Sequence, residues 1–103
     1  MSNDGQAEPA AQEAVAGRFS RKNFATKLRV PEGTPYVEGS TIEQIKAAIR
    51  AGYAVYGEGC DGRVFLWATE EGYEADHFFF GPANPHHFDD LDEAADFAAG
   101  LCE

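Results

Sequence analysis

Three β-prone runs stand together in the middle of the chain, separated by gaps too short for anything but tight turns. Tyr53-Ala-Val-Tyr-Gly-Glu58 passes through Cys60-Asp61-Gly62 into Arg63-Val-Phe-Leu-Trp-Ala-Thr69, and Glu70-Glu71-Gly72 leads on into Tyr73-Glu-Ala-Asp-His-Phe-Phe-Phe80. Glycine in such a gap supplies the positive φ of a hairpin turn without a Cβ clash. The stretch therefore predicts an antiparallel meander that holds most of the core. Along its second run, Val64, Leu66 and Ala68 point one way and Arg63, Phe65, Trp67 and Thr69 the other. Large apolar groups on both sides fit either a central strand or a strand with an exposed aromatic patch.

The flanks predict helices. Ser40-Thr41-Ile42-Glu43 has the spacing of a capping box with Ser40 as the cap, and Ile42, Ile45, Ala48 and Ile49 share one helical face. Gly52 follows where a left-handed terminator is expected, so a helix is predicted over Thr41 to Ala51. Beyond the meander, Gly81-Pro-Ala-Asn-Pro85 breaks the strand, and His86-His87-Phe88 reads as a solvated lead-in to a final helix capped by Asp89. Leu91, Ala94, Ala95, Ala98 and Leu101 form that helix's apolar stripe.

Upstream, Phe24, Thr26, Leu28 and Val30 alternate with Ala25, Lys27 and Arg29. Period two predicts a half-buried strand over 23–30 with a basic outer face, to which Arg18, Arg21 and Lys22 add. Pro31 to Gly39 reads as a loop. Residues 1–17 have no aromatic and a single β-branched side chain, Val15, too little apolar area to offset the entropy of ordering them. The chain thus divides into a flexible tail over 1–17 and one α+β domain over 18–103. The domain is expected to be an antiparallel sheet in β-α-β-β-β-α order with two helices packed on one face.

From the first helix onward, this α-β-β-β-α order resembles the double-stranded-RNA-binding fold in architecture. The final helix, however, begins Asp89-Asp-Leu-Asp-Glu93, where a phosphate-binding module carries lysine or arginine. RNA binding is not carried over, and no direct contact with nucleic acid is expected.

Charge narrows the function classes further. The formal net charge of -10 is unevenly spread. Residues 1–17 carry -3; residues 18–50, with seven basic and three acidic groups, carry +4; residues 51–103, with Arg63 as their one basic group and twelve acidic ones, carry -11. Asymmetry of this size points to a charged partner surface. Glu58, Asp61, Glu70, Glu71, Glu74 and Asp76 fall on the hairpin turns and the strand between them, while Asp89, Asp90, Asp92, Glu93 and Asp96 line the final helix. Positions 89, 92, 93 and 96 share one helical face, where like charges repel.

Other constellations read more simply. Gly57-Glu-Gly59-Cys-Asp-Gly62 matches G-x-G-x-x-G, but a strand follows it instead of a helix, so the glycines are assigned to hairpin geometry and a bulge. His77, His86, His87, Asp89, Asp90 and Cys102 lack zinc-ligand spacing, and no metal or other cofactor is expected. The carboxylate pairs look solvated, unlike an acid/base couple across a pocket, and no nucleophile signature is present, so no enzyme is expected. Cys60 and Cys102 read as two reduced thiols. No apolar run reaches membrane-spanning length and no secretory signal is seen, which predicts a cytoplasmic protein without a membrane partner.

The expected function is a small, non-catalytic acidic protein that binds a basic partner. Its concrete form is a nucleic-acid mimic that inhibits a nucleic-acid-handling complex, by class analogy with anti-CRISPR and other anti-defence proteins of phage and mobile elements and with immunity proteins. Expected contact residues are Asp89, Asp90, Asp92, Glu93, Asp96, Glu70, Glu71, Glu74 and Asp76, with Phe65, Trp67 or Tyr73 as aromatic anchors. Two alternatives are a regulatory module docking through the Phe65–Trp67 face, and a small metal-dependent hydrolase built on His77, His86 and His87.

Overall fold

A computed structural model describes residues 15–24, 27–59, 62–79 and 82–102. The elements are β1 (Val15–Arg18), a short 3-10 turn (Arg21–Asn23), β2 (Pro35–Glu38), α1 (Ile42–Arg50), β3 (Ala54–Gly59), β4 (Gly62–Thr69), β5 (Gly72–Phe78), β6 (Asn84–Phe88) and α2 (Leu91–Leu101). The class is α+β. Six strands form one sheet whose spatial order follows the chain, β1-β2-β3-β4-β5-β6. β2 and β3 run parallel, joined by the α1 crossover, and every other neighbour is antiparallel.

The meander is present as expected, with pairings Val55↔Leu66 and Leu66↔Ala75 through its centre. β4 is its middle strand, and both of its faces are buried. Val64 and Leu66 join Val37, Val55 and Ala75 beneath the helices, which contribute Ile45, Ala48 and Ile49 from α1 and Ala94, Ala95, Ala98 and Ala99 from α2. Phe65 and Trp67 project from the opposite face into a second cluster with Phe19, Leu28, Val30, Tyr56 and Phe78. Of the two expectations for this strand, the central one holds; the aromatic patch is covered.

What covers it is the segment expected to be a strand over 23–30. A 3-10 turn opens it, and the described residues that follow, Phe24 and 27–30, belong to no strand. The alternation is real, with Leu28 and Val30 buried and Lys27 and Arg29 exposed, but it reports an extended chain lying across a sheet face. Period two records one-sided burial and is silent about ladder partners. Thr26 lies outside the described residues.

Three strands form where none was expected. β1 takes the last residues of the expected tail, and residues 1–14 lie outside the described range. β2 occupies the expected loop, and β6 occupies the expected lead-in to the last helix. These additions make the sheet mixed instead of antiparallel, and put four strands where the double-stranded-RNA-binding order has three. β6 carries Pro85, which donates no ladder hydrogen bond, and it sits at the sheet edge where that loss is tolerated.

Both helices pack on one face, as expected, but each cap lies one residue later than the spacing suggested. Thr41, not Ser40, caps α1: its Oγ1 accepts from Gln44 N at 3.1 Å, and Gln44 Oε1 accepts from Ser40 N and Thr41 N at 3.0 and 3.3 Å. Asp90, not Asp89, caps α2, accepting from Glu93 N at 3.2 Å. Gly57 and Gly59 serve close packing more than hairpin geometry. A Cβ on Gly57 would lie 2.6 Å from Cys102 Sγ, and one on Gly59 would lie 2.3 Å from Cys102 Cα, so only glycine lets the end of α2 seat on β3. Gly62, at φ 121°, is the turn residue.

Candidate functional site

Strand register gathers acidic groups that are far apart in sequence. β5 pairs with β4 through Thr69↔Gly72 and with β6 through Tyr73↔Phe88. The β4–β5 turn, carrying Glu70 and Glu71, therefore abuts the β6–α2 junction, carrying Asp89 and Asp90. Gly72, at φ 141°, makes the approach possible, because a Cβ there would lie 2.5 Å from Phe88 O. Asp92 and Glu93 follow in the first turn of α2, where the helix dipole favours negative charge. Glu70, Glu71, Asp89, Asp90, Asp92 and Glu93 are all exposed at this end, and Asp96, also exposed, lies a turn further along α2.

The expected grouping of acids on the hairpin turns needs correction. The two turns of the meander lie at opposite ends of β4, so Glu58 is remote from Glu70 and Glu71. Asp61 lies outside the described residues. Asp76 is 0% exposed and presents no surface, and Glu74 is mostly covered. Instead these two carboxylates hold the covering segment. Arg29 donates its backbone N–H to Asp76 Oδ2 at 2.6 Å, its Nε to Asp76 Oδ1 at 3.2 Å and its Nη2 to Glu74 Oε1 at 2.6 Å. The Arg29 guanidinium also lies over Trp67, 5.9 Å from the ring centroid.

The chain of charges continues to the surface. Glu74 Oε2 meets His87 Nδ1 at 2.6 Å, and His87 Nε2 meets Asp89 Oδ1 at 3.0 Å. The His87 bond, with Arg29 behind it, holds the Glu74 carboxyl below the usual range; hydrogen bonds donated to Glu74 and then to Asp89 raise the His87 imidazole above its ordinary value. An open hollow of about 350 Å³ lies here, lined by Arg29, Glu71, Glu74, Pro85, His86 and His87. On α2, Asp92 is bonded by Lys46 of α1, whose hydrogen bond and charge lower its carboxyl pKa. Among the described residues, no cation lies within ion-pair distance of Glu70, Glu71, Glu93 or Asp96.

The basic groups of the covering segment lie elsewhere. The segment carrying Arg21, Lys22, Lys27 and Arg29 packs on the sheet face opposite α1 and α2. Arg21 spends its guanidinium on Glu32 at 3.0 Å and on the carbonyls of Leu28 and Val30. The covering segment therefore does not neutralise the acidic face of α2, where Lys46 of α1 meets Asp92.

The aromatic anchors are not available as expected. Phe65 is 0% and Trp67 7% exposed, and Tyr73 is partly buried against the helix-side core. The adjacent histidines diverge with the strand pleat: the His86 ring lies tilted against Phe97 at 4.5 Å between ring centroids, while His87 faces Glu74. Among the described residues no group of three or more His, Cys, Asp or Glu is arranged to hold a metal ion, and no helix is long and apolar enough to cross a membrane. Cys102 is a half-buried free thiol whose pKa burial pushes up; Cys60 lies outside the described residues.

A second hollow, of about 320 Å³, opens at the other end of the sheet beside Glu38, Ser40, Gln44, Tyr56 and Glu58. The Tyr56 hydroxyl donates to Glu58 and accepts from Arg63 Nη1 at 3.2 Å; burial, then the Glu58 bond, pushes its pKa up to about 12, so it is a proton donor and not a base.

The Arg29–Asp76–Glu74–His87 chain draws on three separate segments and leaves no spacing signal in the sequence. Its one legible trace is that Glu74 and Asp76 share a side of β5. No protein-family model, curated protein or solved structure matches this chain.

Proposed function

We propose that this protein is a small non-catalytic binder of a basic partner, engaging it through the acidic end formed by Glu70, Glu71, Asp89, Asp90, Asp92, Glu93 and Asp96. Its most concrete form is a mimic of nucleic acid that occupies the phosphate track of a nucleic-acid-handling complex and inhibits it, in the manner of an anti-defence or immunity protein. The observation that carries this reading is the joining of the β4–β5 turn to the start of α2, which concentrates exposed carboxylates while the basic segment lies on the other sheet face. Concentrated like charge costs stability, and a partner's lysines and arginines would relieve it. A basic groove built to release counterions from phosphates offers that complement. The buried state of Phe65 and Trp67 favours this reading over an aromatic docking face.

The test is capture from lysate at low and high salt, with competition by duplex DNA and by RNA. The expected result is a nucleic-acid-binding complex recovered at low salt, displaced by nucleic acid, and lost when Asp89→Asn, Asp92→Asn, Glu93→Gln and Asp96→Gln are combined. A partner kept at high salt and indifferent to both the nucleic acid and the combined variant would overturn the assignment.

A further inference from the structure

His87 is placed between two carboxylates in a way that dictates its proton count. A neutral imidazole has one N–H and one lone pair, whereas ionised carboxylates only accept. With Glu74 on Nδ1 at 2.6 Å and Asp89 on Nε2 at 3.0 Å, both ring nitrogens must donate, and the ring must carry its second proton. The two contacts are unequal. Glu74 is 18% exposed and anchored on its other oxygen by Arg29, so it is fixed; Asp89 is 90% exposed, and among the described residues its side chain is bonded to His87 alone.

We propose that His87 is a proton-operated clasp on the acidic end: doubly protonated, it holds Asp89 against β5, and on losing its Nε2 proton to solvent it keeps Glu74 through Nδ1–H and releases Asp89. Deprotonation changes the local charge by one unit and frees one carboxylate to move. Each group facing the ring acts in a definite direction. Glu74 from β5 and Asp89 from the β6–α2 junction favour the proton. Glu71 lines the same hollow from the β4–β5 turn and adds to them. Arg29, from the covering segment, opposes them at longer range but is engaged by Glu74 and Asp76. His86 also lines the hollow, but its ring lies against Phe88 and Phe97. The clasp itself stands on geometry alone; its effect on partner binding rests on the function proposed above, and predicts a partner held more tightly as pH rises.

The experiment is a pH titration of the histidine ring nitrogens in the full chain by long-range proton–nitrogen NMR, with His87→Gln assigning the resonances. The expected result is a His87 midpoint above that of an ordinary histidine, the Nδ1–H tautomer above that midpoint, and a shift of the midpoint to lower pH in Asp89→Asn. Asp89 is exposed, so this variant keeps the fold. A His87 midpoint at the ordinary histidine value and unmoved by Asp89→Asn, or an Nε2–H tautomer above it, would overturn the clasp. Binding of poly-L-lysine by wild type and His87→Gln over the same pH range reads the docking part separately. A rise through the His87 midpoint in wild type alone supports the coupling; its absence, with the NMR signature intact, leaves the clasp and removes its link to docking.

Discussion

Arg29 and Asp76, 47 residues apart, are joined twice: by the Arg29 backbone N–H to Oδ2 at 2.6 Å and by its Nε to Oδ1 at 3.2 Å. A side-chain carboxylate thus takes the place of a neighbouring strand, satisfying the backbone of a segment that has no ladder. Because Asp76 is fully buried, it cannot turn to water if the guanidinium is removed, so Arg29→Ala is expected to destabilise the protein by about 3 kcal/mol. Asp76→Ala removes the buried charge itself and leaves Arg29 half exposed and bonded to Glu74, so it should cost less, about 1–2 kcal/mol for the backbone N–H left without its acceptor. Denaturant midpoints of the two variants check the order; a larger loss in Asp76→Ala would place the stabilisation in the backbone bond instead.

Glycine at 59 is demanded by packing, and glycine at 100 is not. Gly59→Ala drives a Cβ to 2.3 Å from Cys102 Cα, a contact with backbone that no rotamer relieves. It should cost about 3 kcal/mol or more, at the upper end of overpacking losses. Nothing lies within 4 Å of a Cβ on the exposed helical Gly100, so Gly100→Ala should stabilise by about 0.5 kcal/mol or more. Thermal unfolding of the pair checks the opposite signs.

The α1 cap offers a test on adjacent hydroxyls. Thr41 Oγ1 accepts from Gln44 N, while Ser40 contributes only its backbone N–H to the box. Thr41→Ala should cost about 1 kcal/mol. Ser40→Ala should stay within about 0.5 kcal/mol of wild type. Equal losses in equilibrium unfolding would return the cap to Ser40.

Stability should depend on pH from both sides through one bond. His87 is raised in the folded state, so its contribution is complete below the ordinary histidine pKa and is lost as pH rises through the folded midpoint above it. Glu74 is lowered, so its contribution is present above the ordinary glutamate pKa and is lost as pH falls through the depressed midpoint. Unfolding temperature plotted against pH should carry a maximum between those limits. His87→Gln should flatten the alkaline limb, and an unchanged limb would show that the Glu74–His87 bond does not contribute there.

The legible parts of this fold are those whose neighbours are also neighbours in sequence. The meander announces itself because each turn sits between the strands it joins, and α1 and α2 do so because their stripes recur at helical spacing. β1, β2 and β6 carry no such signal because Gly17, Pro35 and Pro85 stand inside them, and short edge or near-edge strands tolerate residues that a central strand excludes. The acidic residues of α2 were readable as one face. Their meeting with Glu70 and Glu71 was not, since it depends on the Tyr73↔Phe88 register.

Alone, the sequence determined the α+β class, the positions of both helices within a residue or two, the central β3–β4–β5 hairpins, and the excess of negative charge in the second half. Those follow from local turn chemistry, side-chain periodicity and composition, which act over a few residues. Only the tertiary structure decided that the basic segment would cover Phe65 and Trp67, that Asp76 would be buried to hold it, and that His87 would stand between Glu74 and Asp89. These depend on which distant segments pack together. A carboxylate reads the same in the chain whether it will meet water, a guanidinium or an imidazole, and only its packed surroundings distinguish them.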